Sequence, residues 1–104
     1  MKELNQEEWK SQLEKDEKAV ILDVRTEQEV EDGYIPTAKN LDIYKGQGFV
    51  NEAEKLDKDK NYYIYCRSGK RSAQACVILD QMGFANTYNL KGGFIEWVGG
   101  KTED

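Results

Sequence analysis

The chain has 104 residues, with 15 Lys and Arg against 20 Asp and Glu, a formal net charge of −5 and a pI near 4.8. One domain fits this length, and folding removes somewhat more than ~60% of the unfolded surface from water, enough for a core without disulfides or metal. The acidic balance argues against nucleic acid or an anionic membrane as the main partner, and the absence of histidine excludes a Cys–His protease, a His-assisted esterase and His-ligated zinc.

Leu4 belongs to a short first strand. Asn5 with Glu8 matches a capping box that opens a helix running to about Lys15, with Trp9 and Leu13, four apart, as its core contacts. A charged connection from Glu14 to Lys18 leads into Ala19-Val20-Ile21-Leu22. This apolar run reads as a strand buried on both faces, as in a parallel sheet, and ends at Asp23-Val24-Arg25. Thr26 with Glu29 forms a second capping box for a short helix to about Asp32, which Gly33 stops. Pro36 biases Ile35 towards an extended connection. A short strand is expected over Lys39–Ile43. After the glycine-bearing loop 44–48 comes a weakly periodic helix over Phe49–Leu56.

The centre of the chain is the run Tyr62–Met82, YYIYCRSGKRSAQACVILDQM. Tyr62 to Tyr65 form a buried strand. Cys66 follows at its end, then a polar loop, Arg67-Ser68-Gly69-Lys70. From Arg71 or Ser72 the pattern turns helical through Ala75, Ile78, Leu79 and Met82, and Gly83 closes the helix. Ala85–Leu90 reads as the last strand, Gly92-Gly93 as a break, Phe94–Val98 as a helical turn and 99–104 as a frayed tail. Strands alternating with helices over this length give an α/β fold: a small open, mostly parallel sheet flanked by helices on both faces. Ligands of such sheets sit beyond the strands' carboxyl ends. Cys66 is at one such end, and Asp23 and Arg25 lie at another, as candidates for a supporting shell.

The sequence thus sets one thiol between a strand tip and a helix N-terminus, where unpaired amides favour an anion. Arg67, Lys70 and Arg71 add three cations. Lys60–Leu79 holds four cationic residues, Lys60 included, and no Asp or Glu, a local patch suited to a small anion. A free thiol titrates near ~8.5, and such surroundings lower it to roughly 3.5–7.5. Cys66 is therefore expected to be a thiolate nucleophile near neutrality. Arg67, Lys70 and Arg71 would draw in an anionic substrate. Gly69 would let the loop curl; Ser68 would donate a hydroxyl bond, and Ser72 reads first as an ordinary N-cap and second as a hydroxyl donor. Arg25 is expected to pair with Glu29, and Trp97 and Phe94 to serve packing. Cys76 reads as a core residue, with a resolving thiol as the alternative. Two cysteines are too few for a disulfide scaffold or a Cys₄ site, so no metal or cofactor is expected. With an apolar run no longer than Ala19–Leu22 and no signal peptide, a cytoplasmic setting without membrane contact is the expectation.

The loop spacing narrows the chemistry. Cys66 to Arg71 is C-x4-R, and the next position, where the longer phosphate-binding C-x5-R loop needs arginine, is Ser72. A shorter ring of amides seats a tetrahedral phosphoryl group poorly, so sulfur fits better than phosphorus. Here the chain resembles the rhodanese family over nearly its whole length. The D-V-R strand end is Asp23-Val24-Arg25, and G-H-I-P-G-A-x-N corresponds to Gly33-Tyr34-Ile35-Pro36-Thr37-Ala38-Lys39-Asn40. The loop is Tyr65–Ser72, and the closing G-G-x-x-x-W is Gly92-Gly93 with Trp97. Tyr34 and Thr37 replace the usual histidine and glycine. The resemblance implies a single rhodanese-like domain over 1–104 that moves a sulfane sulfur through a Cys66 persulfide. The donor would be a small anion such as thiosulfate or a related persulfide, and the acceptor cyanide or a thiol, including a protein thiol. A non-turnover persulfide carrier or redox-sensing module is the alternative.

Overall fold

The computed structural model describes residues 1–102. In chain order the elements are β1 (Lys2–Leu4), α1 (Gln6–Glu14), β2 (Ala19–Asp23), α2 (Glu27–Glu31), β3 (Lys39–Asn40), α3 (Gln47–Glu54), β4 (Asn61–Tyr65), α4 (Lys70–Gln81) and β5 (Asn86–Leu90). Single 3₁₀ turns cover Ile43–Lys45 and Phe94–Glu96. The sheet is parallel throughout, in the order β1-β5-β4-β2-β3. β4, with Tyr62 to Tyr65 all buried, is its central strand.

Both capping boxes form. Asn5 and Glu8 exchange side-chain and backbone bonds at the start of α1, and Thr26 and Glu29 do so at the start of α2. Each satisfies two amide donors that a helix start would otherwise leave open. The expected strand over Lys39–Ile43 is only two residues long. Past Asn40 the chain turns because the Asp42 carboxylate accepts the Tyr44 N–H at 2.8 Å and caps the 3₁₀ turn. The third helix begins two residues before the expected Phe49, at Gln47 after Gly46. At Gly83 φ is +95°, so α4 closes where expected.

Alternation along the strands divides the core in two. Leu22, Tyr62 and Ile64 face α3 and α4, meeting Phe49, Ala53, Ala75, Cys76 and Leu79. Ile21, Tyr63, Tyr65, Leu4 and Leu90 face α1 and the C-terminal segment. There Trp9, with no exposed surface, stands edge-on to Tyr63, Tyr65 and Trp97, the two indole centroids 5.5 Å apart. The segment after Gly99, expected to be loose, is tied down as far as Thr102. Tyr34 and Thr102 exchange backbone bonds of 2.9 and 2.8 Å, and the Trp97 indole N–H donates to the Gly100 carbonyl. Residues 103–104 of the expected tail lie outside the described residues. No described helix is long and apolar enough to cross a membrane.

Candidate active site

Cys66 directly follows β4 at the carboxyl edge of the sheet, and the chain curls over it before α4 begins at Lys70. The curl depends on Gly69, whose φ of +100° suits glycine. It turns the Gly69 N–H onto Cys66 Sγ at 3.1 Å, and the Ser72 hydroxyl donates to the same sulfur at 3.4 Å. Gly69 therefore takes the N-cap position of α4. Ser72, for which an N-cap role was the leading expectation, sits inside the first turn with its hydroxyl aimed at the thiol.

Cys66 is buried. Burial works against its ionisation, yet the Ser72 hydroxyl and the amides of Ser72, Gly69 and Ser68 outweigh it and hold the thiol below its ordinary range. The neighbouring amides and hydroxyl lead this effect; of the two contributions the sequence suggests, the helix-start amides and the three cations, it is the amides that dominate. Arg67 and Lys70 are exposed. Arg71 is engaged elsewhere: its guanidinium grips both Glu29 oxygens, at 2.7 and 2.8 Å. This bidentate bond holds the Glu29 carboxyl down to about 2 and raises Arg71. The expected Arg25–Glu29 pair is therefore not formed. Arg25 turns back to Asp23, its Nη2 2.7 Å from Oδ2, and touches Glu29 only at the backbone carbonyl.

Asp23 and Arg25 are a buried unit beneath the site. Asp23 also accepts the Tyr65 hydroxyl at 2.7 Å, and Arg25 donates to the Gly33 carbonyl at 2.8 Å. Burial and the adjacent carboxylate push the Tyr65 hydroxyl well above its usual range, so it stays protonated. The Arg25 guanidinium lies 4.4 Å from the Phe94 ring centroid and 5.5 Å from that of Tyr65. Beside Arg67 opens a cavity of about 390 Å³, lined also by Arg25, Glu29, Asp32, Phe94, Ile95 and Lys101. Arg25 thus borders the cavity while Asp23 stands behind it. Phe94, for which packing rather than a pocket role is the expectation, forms part of the wall.

The loop is fastened from the C-terminal side as well. The Phe94 N–H donates to the Cys66 carbonyl at 2.8 Å and the Ile95 N–H to that of Arg67 at 3.0 Å. This approach needs Gly93, where a Cβ would stand 2.4 Å from the Arg67 carbonyl oxygen. The second thiol, Cys76, is buried in α4 and pushed up to about 12 by that burial. It fits the core role rather than that of a resolving thiol. Among the described residues no cluster of Cys, Asp and Glu has the makings of a metal site.

The model of the rhodanese-like domain matches residues 5–99. Over 100 residues the chain is 41% identical to "Putative sulfurtransferase YtwF" of Bacillus subtilis (strain 168), covering 95% of this chain and 92% of that one. It is 37% identical over 79 residues to "Thiosulfate sulfurtransferase GlpE" of Pseudomonas syringae pv. syringae (strain B728a), covering 76% and 72%. The crystal structure of a rhodanese-like domain protein from Staphylococcus aureus superposes with a TM-score of 0.85 at 31% identity, covering 100% of this chain and 99% of that one. The family match over residues 5–99, these relatives and the parallel five-strand sheet with a buried cysteine beyond its central strand place the chain in the rhodanese-like domain family, among relatives named as sulfurtransferases.

Proposed function

We propose that the protein moves a sulfane sulfur from thiosulfate or a related persulfide donor, by way of a Cys66 persulfide, to a thiophilic acceptor such as cyanide or a thiol. The observation that carries this reading is the convergence of the Gly69 N–H and the Ser72 hydroxyl on one buried sulfur, at 3.1 and 3.4 Å. In the first step the Cys66 thiolate attacks the outer sulfur of thiosulfate. A sulfur–sulfur bond forms, and the original one breaks with its electron pair leaving on sulfite. The terminal sulfur carries the negative charge, and the amides of the 67–72 loop hold it. In the second step cyanide or a thiolate takes that sulfur as thiocyanate or a new persulfide, and the Cys66 thiolate returns. No proton is moved, so no general base is required, and ping-pong kinetics follow.

The exposed cations Arg67 and Lys70 fit the role of drawing in the doubly charged donor. Arg71 fits a different role from the one its spacing suggests, because its fork is filled by Glu29 and not open for an anion. Incubation with thiosulfate followed by intact-mass measurement is the test. A gain of one sulfur, about 32 Da, that is lost in Cys66→Ser supports the covalent intermediate. No gain with thiosulfate or any other sulfane donor overturns it in favour of a module without turnover.

A further inference from the structure

Among the described residues, Asn89 differs from every other buried polar side chain. It lies in β5 with no exposed surface, beside Ile64 of β4 and Glu3 of β1. Its Nδ2 donates to the Gly69 carbonyl at 3.2 Å and to Glu3 Oε2 at 3.1 Å. Its Oδ1 is equally buried and has no hydrogen-bond partner among the described residues. A buried acceptor without a partner is a net cost to the folded state, and an apolar side chain of the same branching avoids it. Stability alone therefore does not account for an asparagine here, whereas its hold on Gly69 does.

Gly69 controls both donors to the sulfur. Its N–H bonds Cys66 Sγ directly, and its carbonyl opens the hydrogen-bond ladder of α4 by accepting from Ala73 at 3.2 Å. Fixing that carbonyl fixes the first turn of α4 and with it the Ser72 hydroxyl. The loop also rests on the end of β5: a Cβ at Gly69 would lie 3.4 Å from the Leu90 carbonyl oxygen and 3.6 Å from the Gly92 nitrogen.

We propose that Asn89 is a positioning residue for Cys66: with its amide held by Glu3, it clamps the Gly69 carbonyl so that the Gly69 N–H and the Ser72 hydroxyl converge on the sulfur. The inference rests on Cys66 being the reacting group and acts through Gly69. The charged and titratable groups around the sulfur are Arg67 in the loop, Lys70, Arg71 and Cys76 on α4, and Glu29 of α2 by way of Arg71. A change at Asn89 alters none of them.

The test is the rate of Cys66 alkylation by iodoacetamide against pH in Asn89→Leu. Thr87→Val serves as control, since the Thr87 hydroxyl donates to Asp80 from the same strand at 2.7 Å. In Asn89→Leu the midpoint of the profile moves to higher pH: the rate on the limb below the midpoint falls ~3–10-fold, the worth of about one hydrogen bond, while the plateau at high pH is unchanged. Thr87→Val leaves the profile in place. An unmoved profile in Asn89→Leu, or an equal movement in Thr87→Val, overturns the proposal. If Asn89→Leu does not fold, Glu3→Ala at the exposed end of the chain carries the test: a smaller movement in the same direction supports the clamp, and none overturns it. Alkylation needs no sulfur donor, so this result stands apart from whether thiosulfate loads the enzyme.

Discussion

Removing the carboxylate of Glu29 tests the ion pair that ties the start of α4 to α2. Glu29 meets Arg71 through both oxygens, at 2.7 and 2.8 Å, with the two side chains 28% and 18% exposed. The arginine holds the carboxyl at about 2, against an ordinary 4.5. At ~1.4 kcal/mol per unit this is about 3 kcal/mol. Partial exposure screens the pair, which lowers the expected contribution to roughly 1–2 kcal/mol. The folded value lies below the unfolded one, so the stabilisation is complete above about pH 4.5 and disappears as pH falls to about 2. Urea unfolding of Glu29→Gln should therefore show roughly 1–2 kcal/mol less stability than wild type at pH 7, and no difference near pH 2. Equal stabilities at pH 7, or a gap that survives unchanged at pH 2, would refute the reasoning.

Two further substitutions probe the backbone around the site. Thr37 adopts φ +71°, a left-handed conformation that costs a β-branched residue ~1–2 kcal/mol; Thr37→Gly relieves it, and after the entropy glycine adds to the unfolded chain the net gain is roughly 0.5–1 kcal/mol, read as a melting point higher by ~2–8 °C. A lower melting point would show that Thr37 makes compensating contacts. Gly93→Ala forces a Cβ to 2.4 Å from the Arg67 carbonyl oxygen at φ +64°; the loop must shift, so urea unfolding should show a loss of about 2–4 kcal/mol together with slower alkylation of Cys66. An alanine variant with both properties of the wild type would mean that the loop is not pinned there.

Local signals carried most of the fold. The run Ala19–Leu22 and the aromatic run Tyr62–Tyr65 form central strands because their side chains are dominated by apolar and aromatic surface, and both capping boxes form because their partners are three residues apart. The loop count from Cys66 to Arg71 was equally local. What the sequence hid were choices between partners distant in the chain. Arg25 had two acids within reach by spacing, Asp23 and Glu29; the fold brings Arg71 to Glu29 across 42 positions, and that bidentate bond leaves Asp23 to Arg25. Ser72 reads as a cap because a serine before a helical period is a common start, whereas Gly69 supplies the cap three residues earlier by adopting φ +100°. Asn89 carried no signal: a polar residue in a strand reads as solvent-facing until the neighbours on both sides are known.

The placement of the two tryptophans gives the molecule a built-in optical reporter. Trp9 and Trp97 are both withdrawn from water in one aromatic cluster, so their emission should be blue-shifted in the native state and move to the red on denaturation. Trp97 also closes the 3₁₀ turn whose first amide holds the Cys66 carbonyl. Movement of the Cys66 loop therefore has a three-residue path to an indole, and tryptophan emission should report such movement without an attached dye.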